Sequence, residues 1–179
     1  MSTVSSGTSG VKIYLCSTVA SPHTVLPVDQ LKGVSMFGGG SRKKIDISNF
    51  DSMAYDELQG GRAAPPEATG ELVLDLGNTN HQGLKLLFEA QASGSAPVSN
   101  VYAGFSNSTA APTIVAGALQ PPVTASPKHW SRSGILGNAY ISTLTPKGAD
   151  NDVWRADFKM QFTGKAAWSV KGQTMATTY

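Results

Sequence analysis

Residues 153–163, VWRADFKMQFT, alternate without a break: Trp154, Ala156, Phe158, Met160 and Phe162 fall on one side, Arg155, Asp157, Lys159 and Gln161 on the other. Successive side chains of a strand point to opposite faces, so this period of two describes one apolar face and one polar face. The pattern is that of an antiparallel strand with a core side and a wet side. Trp154, Phe158, Met160 and Phe162 are the expected core-facing residues, and Lys159 is expected to face water.

A second informative stretch, GELVLDLGNTNHQGLKLLFEA (Gly70 to Ala90), changes period in the middle. Leu72, Leu74 and Leu76 alternate with Glu71, Val73 and Asp75 as in a strand. After GNTN the apolar spacing becomes Leu84, Leu87, Phe88, the stripe of an amphipathic helix. Thr79 and Gln82 are spaced as a capping box at its start, and Gly94 is a stop signal at its end. His81 is expected as an exposed polar residue of the first turn.

The rest of the chain reads mainly as β. Its 179 residues suit one domain, 1–179, with a substantial core. Charged residues make up only 15 % while Gly is frequent, which favours strands and turns over long helices. Residues 1–10 read as a flexible arm and Val11 to Cys16 as a strand. The stretch SPHTVLPVDQLKGVSMFGGG (Ser21 to Gly40) is interrupted by Pro22, Pro27 and three glycines and reads as irregular. Lys43 to Phe50 is strand-like, with Ile45 and Ile47 alternating. Residues 51–69 have no sustained period, and Gly60-Gly61 and Pro65-Pro66 break regular structure, so a long loop is expected. Val101 to Ser106 and Ile135 to Thr145 are strand-like, and PKGADND (Pro146 to Asp152) reads as a turn. Residues 107–133 form an extended excursion, Ala166 to Val170 a last short strand, and 165–179 a C-terminal extension.

Little here suggests catalysis. His23, His81 and His129 lack metal-ligand spacing, and there is no nucleophile elbow, phosphate loop or nucleotide fingerprint. His129, Ser131 and Arg132 are neighbours in sequence, which does not make a triad. The expectation is no enzyme, no metal and no cofactor. A net charge of +2 with a single basic run, Ser41 to Lys44, argues against nucleic-acid binding. Cys16 is alone and reads as a small packing residue. The N-terminus lacks the charged and apolar segments of a signal peptide. No apolar run approaches the roughly 20 residues that cross a bilayer. A sheet protein with open edges and long irregular segments suits a role in assembly.

Three stretches in order, KKIDISNFDSMAYDELQGG, ATGELVLDLGNTNHQGLKLLFEA and GNAYISTLTPKGADNDVWRADFKMQFTG, resemble the major tail tube proteins of long-tailed, siphophage-type bacteriophages. The resemblance rests on Ile45, Asp46, Ser48 and Ser52, on Gly70 to Leu72, on His81, Gln82, Leu84 and Leu87, and on Phe162 to Gly164. It covers residues 18–94 and 134–164. It implies an antiparallel β-sandwich or half-barrel with one packed helix, whose face is Leu84, Leu87 and Phe88. It further implies a virion protein, made in the host cytoplasm, that self-assembles into hexameric rings whose inner sheets join into a barrel. The rings stack around a tape measure protein into a tail tube, bounded by terminator and baseplate proteins. Double-stranded DNA transits the lumen without specific binding, and no membrane is involved. By the same resemblance the long loop reaches the next ring, with Phe50, Asp51, Met53, Tyr55, Asp56, Glu57, Leu58 and Arg62 as contact residues. A wall that lets DNA slide should not be basic, so Glu71 and Asp75 are candidate lumen residues. The alternatives are a β-rich virion decoration or carbohydrate-binding module, and the tube protein of a contractile injection machine.

Overall fold

The computed structural model describes residues 11–19, 21–36, 42–46, 58–63, 66–125, 128–150, 153–164 and 166–174, with the backbone alone at 36, 42–46, 58–63, 149–150 and 153. In chain order these form β1 (Lys12–Ser17), β2 (Thr24–Val28), β3 (Leu31–Met36), β4 (Arg42–Asp46), β5 (Leu58–Ala63), β6 (Glu67–Val73), α1 (Thr79–Ala92), β7 (Ser99–Gly104), β8 (Thr113–Val115), β9 (Ala118–Gln120), β10 (Gly134–Asp150), β11 (Val153–Phe162) and β12 (Ala167–Ser169).

Seven strands make one antiparallel sheet in the order β2-β1-β7-β10-β11-β6-β3, with β12 added along the start of β10. The two ends of that order, β2 and β3, are joined by only Asp29 and Gln30. Val28 and Leu31 are therefore at most about 11 Å apart. The sheet must curl until its edges meet at that corner, and the result is a half-barrel around one core. Ile13, Leu15, Val28, Leu72, Val101, Phe158, Met160 and Phe162 all belong to this core cluster.

Helix α1 closes the half-barrel, lying on β2 and β10. Leu84 and Leu87 are buried in the common core and Phe88 packs against it. Gly83 allows the approach, since a Cβ there would stand 2.9 Å from Leu26 Cδ1. The cap is Asn78 rather than Thr79: its side-chain oxygen accepts from the Asn80 N–H at 2.8 Å. Gln82 instead donates to the Leu76 carbonyl. At the other end Gly94 takes a φ of 73°, the left-handed residue that ends many helices.

His81 is buried at 1 % exposure, contrary to the sequence reading. Its Nδ1 accepts the Asp75 N–H at 3.0 Å, which leaves Nε2 to donate to the Asp29 carbonyl at 3.2 Å. The ring thus ties the helix start to the corner where the sheet edges meet, and Asn80 adds a bond to the Asp29 carboxylate.

Other expectations shift too. β6 ends at Val73, so Leu76 lies in the turn before the helix, 60 % exposed. Ser21 to Gly40 contains two strands. Pro27 is accommodated because β2 is an edge strand, pairing only with β1. Of the expected loop 51–69, residues 58–63 are β5 and 67–69 open β6, while 51–57 lie outside the described residues. Gly60-Gly61 sits inside a paired strand. Residues 146–150 continue β10 instead of turning, paired as far as Asp150 with Val153.

Candidate functional site

The half-barrel has two unlike halves. On β1, β7 and the start of β10 both faces are covered. The outer face carries Tyr14, Cys16 and Tyr102, against which Leu119 of the β8–β9 hairpin packs as part of a roof that continues along the chain up to Ser133. Arg132 holds this roof down. Buried at 4 % exposure, it donates from Nε to the Phe105 carbonyl (2.7 Å), from Nη2 to the Gly104 carbonyl (2.8 Å), and from Nη1 to the Ala110 carbonyl (3.1 Å) and Tyr14 Oη (3.2 Å). The Arg132 carbonyl in turn accepts from Tyr102 Oη. Gly104 and Gly134 leave room for this packing: a Cβ on Gly104 would collide with the Arg132 side chain, and one on Gly134 with Tyr102 and the Ala103 carbonyl. Burial raises the Tyr102 hydroxyl and the Cys16 thiol above their ordinary pKa ranges, so Cys16 is a poor nucleophile.

The other half, β3, β6, β11 and the second part of β10, has one face in the core and one in water. Phe158, Met160 and Phe162 are buried, whereas Trp154 is 56 % exposed. Alternation misplaces it because it stands at the strand end, where the curled sheet no longer encloses a core. The wet face carries three cross-strand ion pairs: Lys147 to Asp157 (2.7 Å), Arg155 to Glu71 (2.9 Å) and Lys159 to Glu67 (3.1 Å). Lys32, on β3, is the register partner of Glu71. The hydrogen bond and charge of Asp157 raise the Lys147 ammonium above its usual range. Each carboxylate of the face is thus paired with a cation, and Lys32 leaves a single positive charge in excess. Glu71 is part of the face. Asp75 is not, since it lies in the turn beyond β6, accepting from the Gly77 N–H.

This wet sheet has two unpaired edges among the described residues. β3 pairs only with β6. β7 follows β10 only as far as Ala139, so on that side β10 has no partner strand beyond it. Pro146, which lacks an N–H, marks the same stretch as an edge. A row of pairs runs level across the sheet: Ser35, Thr69, Lys159, Thr143.

Strands β4 and β5 form a separate two-stranded hairpin, paired from Arg42 with Ala63 to Asp46 with Leu58, with a register irregularity between Arg42 and Lys44. Leu58 and Arg62 belong to β5, whereas Phe50, Asp51, Met53, Tyr55, Asp56 and Glu57 lie outside the described residues. The burial of Arg132 and of His81, and which strands present the open sheet edges, are what sequence reasoning missed. Of these only Pro146 left a signal, as a proline inside a strand.

Among the described residues no group of three or more His, Cys, Asp or Glu side chains could hold a metal ion, and no helix is long and apolar enough to cross a membrane. A family model described as phage tail tube, lambda-like, matches residues 1–172. No curated protein matches significantly. Among solved structures, the baseplate of the anti-feeding prophage contains a chain similar at TM-score 0.58 and 9 % identity, covering 94 % of this chain and 97 % of that one. A chain from the tail of an empty gene transfer agent particle gives 0.54 and 13 %, covering 90 % and 96 %. The SPP1 tail tube gives 0.54 and 11 %, covering 92 % and 79 %. At these identities the likeness is one of fold.

Proposed function

The chain belongs to the lambda-like phage tail tube family and is a tube-forming structural protein, and on that premise we propose that its copies close into hexameric rings through the two free edges of the wet sheet. The observation that carries this reading is the four-strand sheet β10-β11-β6-β3, open at both edges and charged on one face. An unpaired edge is a template for another strand. Four is an even number of strands, so β3 of one copy beside β10 of the next keeps the antiparallel alternation around the ring. A ring joined this way uses unlike edges head to tail and closes on itself.

The charged face then becomes the tube wall, with Glu71 in it. Double-stranded DNA holds to clustered Lys and Arg by counterion release. Pairing Lys147, Arg155 and Lys159 with carboxylates removes most of that attraction, which suits passage without binding. Residues 47–57, between β4 and β5, are the proposed contact to the next ring, through Phe50, Met53 and Tyr55. Tape measure, terminator and baseplate proteins are the proposed further partners, the virion tail is the location, and no catalysis is assigned. This reading serves a siphophage tube and a contractile-machine tube equally.

Electron microscopy of the purified protein tests the reading. Ser35→Lys and Thr143→Lys place a charge on opposite edges, away from the core. The parent should form six-fold rings or tubes, and both variants should remain monomeric at the parent's melting temperature. Rings from both variants would rule out these edges as the joints.

A further inference from the structure

β7 pairs with β10 from Gly104 opposite Gly134 to Ser99 opposite Ala139, and there the ladder stops. The next backbone donor of β10 on that side is the Ile141 N–H, and a side chain meets it in place of a strand. Gln91, in the last turn of α1, accepts it on Oε1 at 2.9 Å. The same amide donates from Nε2 to Ser99 Oγ at 3.0 Å and to the Pro97 carbonyl at 3.2 Å. Gln91 thus supplies the peptide group that β7 withdraws, and the edge is already closed at Ile141.

In an antiparallel strand the N–H and C=O of one residue point to the same side, and successive residues alternate. Ile141 points away from β11, so Asn138 points toward it, and the Asn138 carbonyl indeed accepts the Thr163 N–H. A bulge at Ser142 shifts the phase by one residue, and pairing with β11 resumes at Thr143 opposite Lys159. Leu144 then packs on the core as Ile141 does, and like Ile141 it turns its backbone groups to the open side. The next outward residue is Pro146, which has no N–H. After Lys147 the register breaks again. Between the glutamine stop at Ile141 and the proline stop at 146, only Leu144 can both donate to a neighbouring strand and accept from it.

Resting on the ring reading above, we propose that Gln91 and Pro146 are register stops that confine the pairing of β3 from an adjacent copy to Leu144. A uniform edge tolerates slippage, since every rung of its ladder offers the same groups. An edge with a single two-way rung does not. A slipped joint offsets each copy along the strand from the last, and a head-to-tail series with that offset does not close into a ring. Gln91 is therefore a positioning residue for assembly, acting through the Ile141 N–H.

Residue-resolved amide hydrogen exchange on the full chain, monomeric and assembled, reads the joint. On ring formation the Leu144 N–H should slow about a hundred-fold, while the Ile141 N–H, already bonded in the monomer, should exchange as before. Two variants isolate the glutamine. Gln91→Met frees the Ile141 donor and should replace closed rings by open or irregular assemblies in electron micrographs. Gln91→Glu loses the same donor to Ser99 and Pro97 but keeps an oxygen for Ile141, and should close rings as the parent does. A role confined to holding the helix would make the two variants behave alike. Parent rings in which Leu144 exchanges as fast as in the monomer, or closed rings from Gln91→Met, would overturn the register stops and leave the ring edges standing. Failure of the parent to form any ring would overturn both.

Discussion

The two halves of the half-barrel use opposite means to manage the same problem, an extended sheet with two faces to cover. On β1 and β7 the outer face is roofed by the chain's own excursion, and a buried guanidinium ties that roof down with four hydrogen bonds to neutral groups. On β11 and β6 the outer face stays in water and is covered only by ion pairs at least a third exposed. The first half is rigid packing in which a single loss leaves several carbonyls unsatisfied. The second is a tolerant surface whose pairs each contribute a fraction of a kcal/mol. Substitutions should separate the halves by stability, and assembly should separate them in reverse.

The largest effect is expected where the halves share their core. Phe158→Asp puts an unpaired charge at a site 1 % exposed and should cost several kcal/mol, enough to abolish a cooperative thermal transition. Next comes the roof. Arg132→Met removes the guanidinium's bonds to the Gly104, Phe105 and Ala110 carbonyls and should cost about 2–4 kcal/mol in denaturant unfolding. A cost under about 0.5 kcal/mol would mean that the excursion is held by its apolar contacts alone. His81→Phe should lose about 1–2 kcal/mol, because the Asp75 N–H and the Asp29 carbonyl lose their partner at the corner.

On the wet half, Lys159→Glu breaks one exposed pair and sets two carboxylates near each other, so at most about 1 kcal/mol should be lost in a thermal melt. Combined Glu67→Gln, Glu71→Gln and Asp157→Asn should leave the monomer similarly stable. Assembled tubes of that variant should retain double-stranded DNA at low salt and release it as salt rises. Tubes that ignore DNA would place this face away from the lumen. Trp154→Ser is the smallest, within about 0.5 kcal/mol, because the ring stands in water; a loss of 3 kcal/mol would restore it to the core.

Local patterns carried much of this molecule. The alternation over 153–163 placed Phe158, Met160 and Phe162, and the switch of period after Asn80 placed Leu84 and Leu87, because strand and helix periods are set by backbone geometry and are visible in any window of ten residues. The order of motifs from Ile45 to Gly164 was enough to suggest the tail tube family. What sequence could not decide is whatever depends on which distant segments meet. Trp154 obeys the alternation yet stands outside the core, since the curvature that ends the core comes from the whole sheet. His81 looks like a surface residue of a first turn until Asp29, 52 positions away, is folded over it. Arg132 lies in an aperiodic stretch, and its partners reach back to Tyr14, 118 positions distant. The edges of β3 and β10 are open among the described residues because the other strands there pair elsewhere, a fact of topology. Periodicity describes the faces of an element; only the tertiary fold decides what each face and each edge will meet.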